Sequence, residues 1–170
     1  MHFSPSPERC LIVLAAVVVL AVTVASPRAE EPRPTAVFPF ELLDTSGEGE
    51  KPGQAERLAL ATRTLTQALE QSGRYRAVDL TPHADDIKAI GPRYRCDGCW
   101  KAVAKKAGAA VAVIPVVHKI STLISTMDIW VADVEKETVV AHVEGQIRGD
   151  TDVAYVRGVQ FLVNERLLAK

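Results

Sequence analysis

The chain has little of several features that point to a function. Aromatic residues make up 5% of its 170 residues, and the formal net charge is −1, with no basic run and no acidic tail. A chain without a basic patch gives no electrostatic reason to expect nucleic acid as a partner. The stretch DTSGEGEKPG, residues 44–53, is rich in glycine but lacks the Gly-Lys-Ser/Thr ending that cradles a phosphate.

The patterns of the common catalytic sites are also missing. Ser46, Ser121 and Ser125 lack the glycine context of a nucleophile elbow, and no histidine and acid are spaced as their partners. We therefore expect no cofactor and no metal, and the sequence favours a protein that is not an enzyme.

Cysteine is scarce, and the state of the cysteines depends on the compartment in which the protein resides. Leu11 to Ala25 is an apolar run without charge, shorter than the about 20 residues of a membrane span and typical of a secretory signal peptide. Cleavage after Ala25 or Ala29 would remove Cys10 and leave a periplasmic protein with no stable membrane insertion. The two cysteines that remain, Cys96 and Cys99, would then favour a disulfide.

The rest of the chain predicts a single α/β domain over residues 36–170, after a signal peptide at 1–25 and a disordered leader at 26–35. We expect a mixed sheet of about five strands, with a C-terminal antiparallel meander and about three covering helices. Pro39 suggests an edge or irregular position in the first strand. His118 and Lys119 are expected at a solvated strand end.

Helical and strand periodicity give further expectations. The first helix has an apolar face at Leu58, Ala61, Leu65, Ala68 and Leu69. Asp97 is expected to cap the helix after the cysteines, and Asp150 or Thr151 the last helix, with its apolar stripe at Val156, Val159, Val163 and Leu167. In the last strand, one face should hold Val139, Ala141, Val143 and Ile147, and the other Thr138, His142, Glu144, Gln146 and Arg148.

The Cys96–Cys99 pair has several possible roles. Haem attachment needs a histidine directly after the second cysteine, where Trp100 stands. A structural zinc site needs four ligands, and His83, His118 and His142 show no ligand spacing that would complete one. A catalytic redox pair stays open because a helix start stabilises a thiolate. We favour a structural disulfide.

Two polar groups are candidate partner-binding residues. The first is RGDTD with the following helix, namely Arg148, Asp150, Asp152 and Arg157, which alternatively form a helix start with neutralising ion pairs. The second is one strand face with Thr126, Asp128 and Trp130, because a tryptophan among polar neighbours can be a contact residue.

The stretch from Arg95 to Val140, with IRGDTDVAYVRGVQFLVNERLL, resembles a family of exported bacterial proteins of unknown function. The shared features are the paired cysteine, a Lys-x-Ser at Lys119 and Ser121, and Arg-Gly-Asp/Asn-Thr-Asp at residues 148–152. Ala110, Pro115 and Glu137 depart from the family pattern, which has aspartate, glycine and a turn glycine there. The layout is also similar to the amino-terminal domain of TolB and the periplasmic domain of CsgG.

These observations predict a non-enzymatic binding or assembly module of the bacterial envelope, whose partner is another envelope protein. The alternative is a thiol-disulfide oxidoreductase that uses Cys96 and Cys99. Architecture alone does not choose between them.

Overall fold

The first apolar segment forms two short strands, because Pro39 interrupts it. In the computed structural model, which describes residues 30–169, both strands pair in parallel with the same edge of one longer strand, Val111–Lys119. Pro115 lies in the gap between these two pairings, so its missing N–H costs no ladder hydrogen bond at that edge. The irregularity expected at Pro39 is confirmed.

The sheet is mixed and has six strands. Its order is β3-β1-β4-β5-β6, and β2 pairs with β4 beyond the end of β1. Strands β1 to β4 are parallel, whereas β4, β5 and β6 form the predicted antiparallel meander. The strands are β1 (Arg33–Val37), β2 (Glu41–Asp44), β3 (Tyr75–Ala77), β4 (Val111–Lys119), β5 (Ile124–Asp133) and β6 (Thr138–Arg148).

Within residues 30–169, four α-helices lie on the two faces of the sheet. They are α1 (Gln54–Gln71), α2 (Ala84–Ala89), α3 (Trp100–Lys106) and α4 (Asp152–Phe161), and α4 continues into a π-helical segment, Leu162–Leu167. Thr151 caps α4, because its side chain accepts a hydrogen bond from the Ala154 N–H at 3.2 Å. The predicted α/β class is therefore confirmed, with one more strand and one more helix than expected.

Each face of the sheet carries its own apolar core. On one face α1, α4 and the π-helical segment cover the sheet, and the expected apolar face of α1 lies in this core. Of the stripe expected on the last helix, Val159, Val163 and Leu167 lie there, whereas Val156 is only partly buried. On the other face, α2 and α3 pack over a smaller core that includes Phe38, Trp100 and Ile114. This core also takes in Ala132 at the end of β5, whereas the polar residues of β5 and β6 on the same face are partly or fully exposed.

A β-bulge divides β6 into a short first part, Thr138 and Val139, and a longer regular part from Ala141 to Arg148. Val131 of β5 pairs with Ala141, but the next residue, Ala132, pairs with Val139, which leaves Val140 as the extra residue. The bulge therefore turns Val139 to the face opposite that of Ala141, and Val139 is 55% exposed. The prediction that Val139 shares the buried face of Val143 is wrong for this reason.

Other expectations also need correction. Asp97 does not cap α3: Cys99 occupies the N-cap position, and no side chain bonds there. Strand β1 begins at Arg33, so it takes in the end of the stretch expected to be a disordered leader. The predicted signal peptide, residues 1–25, lies outside the described residues.

Candidate functional site

A cleft of about 320 Å³ opens on the second face of the sheet, between the loop that precedes α3 and the start of the β5–β6 hairpin. Trp130 and Val139 form the wall on the hairpin, and Ile114 lies on β4 between the two sides. The opposite wall is the cysteine-containing segment Arg93 to Lys101. The fold thus brings the Cys96–Cys99 pair and Trp130, which are far apart in sequence, to one site.

Trp130 is held in place by a stacked histidine. The rings of Trp130 and His142 are 4.6 Å apart and within 3° of parallel. His142 Nε2 lies 2.7 Å from Asp128 Oδ1, so this carboxylate holds the edge of the imidazole ring that stacks on Trp130. As predicted, Thr126, Asp128 and Trp130 share one strand face, because they alternate with the buried residues Met127, Ile129 and Val131.

The rim of the cleft is charged. Glu137 accepts a hydrogen bond from Lys105 Nζ at 2.6 Å and pairs with Lys101 Nζ at 3.4 Å, which ties α3 to the β5–β6 turn. Those two lysines lower the pKa of Glu137 below its usual value. Glu137 has a φ of 55°, which is the left-handed conformation that glycine adopts most easily.

A buried ion pair anchors the cysteine-containing wall. Arg93 Nη2 lies 3.0 Å from Glu41 Oε1, and the Arg93 side chain is only 4% exposed. The other carboxylate oxygen of Glu41 accepts from the backbone N–H of Arg93 at 2.8 Å and of Tyr94 at 3.3 Å. Arg93 also donates to the Pro39 carbonyl and lies over the Phe38 ring. Burial lowers the pKa of Arg93, and the charge of Glu41 opposes that shift.

The disulfide Cys96–Cys99 is formed, with the two Cα atoms 5.7 Å apart. Cys99 N–H donates to Cys96 Sγ at 3.3 Å, so the loop closes on itself just before α3. Cys96 lines the cleft. Because both sulfurs are bonded to each other, this form of the site has no free thiolate.

Both apolar and charged side chains line the cleft. Trp130, Val139 and Ile114 supply apolar surface, and the ion pair of Glu137 with Lys101 lies at the rim. Within residues 30–169, no group of three or more histidines, cysteines or acids is placed to hold a metal ion. In the same range, no helix is both long and apolar enough to cross a membrane.

The RGDTD residues do not form one cluster. Asp150 binds Arg57 of α1 through two hydrogen bonds of 2.9 and 3.0 Å, instead of the neighbouring arginines that the sequence suggested. Tyr155 is fully buried beside this pair, and its burial, with the charge of Asp150, raises its pKa to about 12. Asp152 is exposed at the start of α4. Arg148 and Arg157 line a different groove, between β6 and α4.

Lys119 is buried, contrary to the prediction of a solvated strand end. Its Nζ lies 3.5 Å from both Asp44 Oδ2 and Glu48 Oε2, and Glu48 in turn accepts hydrogen bonds from Thr122. Ser121 Oγ accepts from the backbone N–H groups of residues 123 and 124. The Lys-x-Ser motif thus joins the loop after β2 to the β4–β5 turn.

Sequence reasoning missed Arg93, Tyr94 and Val139 as residues of the site. It considered His142 as a polar strand position and as a zinc ligand, but not as the partner of Trp130. The bulge hid Val139, because an extra residue in a strand leaves no mark in the alternation. Trp130 lies opposite His142 in the regular register that runs from the pair Ile124 and Arg148 to the pair Val131 and Ala141. The only signal for Arg93 in the sequence is its positive charge, and its acidic partner, Glu41, lies 52 positions away.

Comparison with solved structures shows where this fold occurs. The LpoB C-terminal domain from Salmonella enterica is similar with a TM-score of 0.52 and 12% identity, over 72% of this chain and 87% of that chain. The lipoprotein GNA1162 from Neisseria meningitidis is similar with a TM-score of 0.51 and 11% identity, over 79% and 97%. At such identities the likeness shows the fold alone. These matches are LpoB and a lipoprotein, rather than TolB or CsgG.

Comparison with sequences gives the family. No curated protein matches the chain. The model of the family DUF3280, described as "Protein of unknown function (DUF2380)", matches residues 33–167. The match begins where β1 begins and ends where the π-helical segment ends, so it covers the whole folded unit. The chain therefore belongs to this family of proteins of unknown function.

Proposed function

We propose that this protein is exported to the periplasm and acts there as a non-enzymatic binding or assembly module of the bacterial envelope. The observation that carries the proposal is the open part of the second sheet face, where the Trp130–His142 stack borders a cleft with apolar walls. A partly exposed, rigidly held tryptophan is the kind of residue that contributes most to a protein interface. The N-terminal sequence is typical of a signal peptide, and one protein of the same fold is named a lipoprotein.

The proposed partner is another envelope protein that places an apolar side chain in the cleft. The walls suit such a contact because Trp130, Val139 and Ile114 offer apolar surface, whereas Glu137 and Lys101 give the rim polar character. An apolar centre with a polar rim is the usual anatomy of a protein interface.

The test is recovery of a specific protein from the envelope fraction by the exported chain and two variants. We expect the wild type and Leu123→Ala to recover the same protein and Trp130→Ala to lose it. Leu123 is the matched control, because it is apolar and 71% exposed but lies on the β4–β5 turn, away from the cleft. Thermal unfolding of all three chains separates loss of binding from loss of folding. Equal recovery by Trp130→Ala would contradict the proposal.

A thiol-disulfide oxidoreductase is the second candidate, because Cys96 lines the cleft in which a substrate would lie. The reduction potential of the pair decides this point. A structural disulfide is expected below about −300 mV, whereas oxidoreductases lie between about −270 and −120 mV. We expect the lower value. A potential within the oxidoreductase range would favour the enzyme.

A further inference from the structure

The outer edge of β6 is open. β6 lies at the end of the sheet, and in the described part of the chain its only strand partner is β5. At Thr138–Arg148 it is also longer than the about 5–6 residues of an average strand. A long edge strand presents unpaired N–H and C=O groups to any extended segment that approaches it. The bulge disturbs only its first residues, so the half from Ala141 to Arg148 is regular.

A groove of about 420 Å³ runs beside this regular half, between β6 and α4. Its helical side is formed by Val153, Arg157 and Phe161, which lie four residues apart and therefore on one stripe of α4. Val153 is 58% exposed and Phe161 47%. An edge strand flanked by a helix with exposed apolar side chains is a geometry suited to the addition of a peptide strand.

The charges of the groove select the kind of segment. Arg148 lies at the end of β6 and Arg157 in the middle of α4, and both line the groove. Within residues 30–169, neither of them forms an ion pair, and no acidic side chain is among the residues that line the groove. The two arginines are therefore uncompensated positive charges beside free backbone donors and acceptors, and arginine prefers carboxylates as partners.

We propose that the groove between β6 and α4 binds an extended acidic segment of a partner protein, which adds as a further strand to the edge of β6. Its backbone pairs with residues 141–148, its carboxylates meet Arg148 and Arg157, and its apolar side chains contact Val153 and Phe161. This surface is separate from the Trp130 cleft, because the two share no lining residue.

The test uses the purified, exported chain and defined peptides. The probe is a peptide of alternating valine and glutamate with a free carboxyl terminus. One control peptide has lysine in place of glutamate, and a second has a central proline, which removes a backbone donor. Nuclear magnetic resonance of the ¹⁵N-labelled protein reports which amides respond. We expect shifts at residues 141–148 with the glutamate peptide and much weaker binding of both controls.

The double variant Arg148→Glu/Arg157→Glu should lower the affinity for the glutamate peptide by about tenfold or more. The same variant should bind the lysine peptide more tightly than the wild type does. Equal binding of the two charged peptides to the wild type would overturn the proposal, as would equal binding of the proline peptide. Absence of binding would do the same. Shifts at β6 that depend on protein concentration without peptide would instead make this edge a contact between copies of the chain. None of these outcomes bears on the Trp130 cleft.

Discussion

Replacement of Glu41 by glutamine should strongly destabilise the protein. The carboxylate of Glu41 is the counter-charge of Arg93, whose side chain is 4% exposed, while that of Glu41 is 14% exposed. Removal of one partner of a buried ion pair leaves the other charge without compensation, at a cost of about 3–5 kcal/mol. The Pro39 carbonyl and the Phe38 ring still contact Arg93, so the lower end, about 3 kcal/mol, is expected.

For a domain of this size, 1 kcal/mol corresponds to a shift of about 3–4 °C in melting temperature. Glu41→Gln should therefore lower the melting temperature by about 10 °C, as measured by circular dichroism. The matched control is Lys106→Ala, which breaks the ion pair with Asp86, whose side chains are 63% and 40% exposed. This control should leave the melting temperature almost unchanged.

A second variant tests the cause of the effect. Glu41→Gln/Arg93→Met removes the buried charge together with its partner and fills much of the same volume, so it should regain a large part of the lost stability. If Glu41→Gln is no more destabilising than Lys106→Ala, the pair is not effectively desolvated and this reasoning is refuted. If the double variant is less stable than Glu41→Gln, the loss comes from packing rather than from the uncompensated charge.

Three further changes have defined outcomes. Replacement of Cys96 and Cys99 by serine should lower the free energy of unfolding by only about 1–2 kcal/mol, because the disulfide closes a short loop. The variant should still recover the partner, and failure of a folded variant to do so would contradict a structural disulfide. Gly158→Ala should lower the free energy of unfolding measured in urea by about 1–3 kcal/mol, because the new Cβ would lie 2.5 Å from Ile147 Cγ2. Alanine's better helix propensity alone would raise it, so a gain in stability would disprove this close contact. With a pKa of about 12, Tyr155 keeps its hydroxyl proton in the folded state above pH 10, where the unfolded chain loses it. Stability should therefore fall as pH rises above about 10, and it should fall less in Tyr155→Phe. An equal slope in both proteins would refute this.

Local sequence patterns predicted those parts of the fold that local energetics decide. The apolar face of α1, the Thr151 cap and the antiparallel meander follow from periodicity and capping, which involve residues close in sequence. The splitting of the first strand at Pro39 belongs to the same class, since proline lacks the N–H that a ladder needs.

The site depended on contacts between distant residues, and these the sequence did not show. Arg93 and its partner Glu41 are 52 positions apart in sequence, and Asp150 and its partner Arg57 are 93 positions apart. Lys119 was expected in solvent because lysine is rarely buried without partners, yet Asp44 at the end of β2 and Glu48 in the following loop supply two carboxylates. Such pairings follow from the topology, which composition and spacing do not determine.

The extra residue at Val140 reverses the alternation of side chains between the two faces of β6. A mutational scan of this strand should show tolerance to polar residues alternating with a period of two, and the phase of that alternation should reverse at the bulge. Deletion of Val140 should make β6 regular and leave Val139 on its present face, because Val139 would then directly precede Ala141 and still pair with Ala132. The bulge therefore lets Val139 line the cleft on one face, while Val143 and Ile147, four and eight residues further on, pack in the core on the other face.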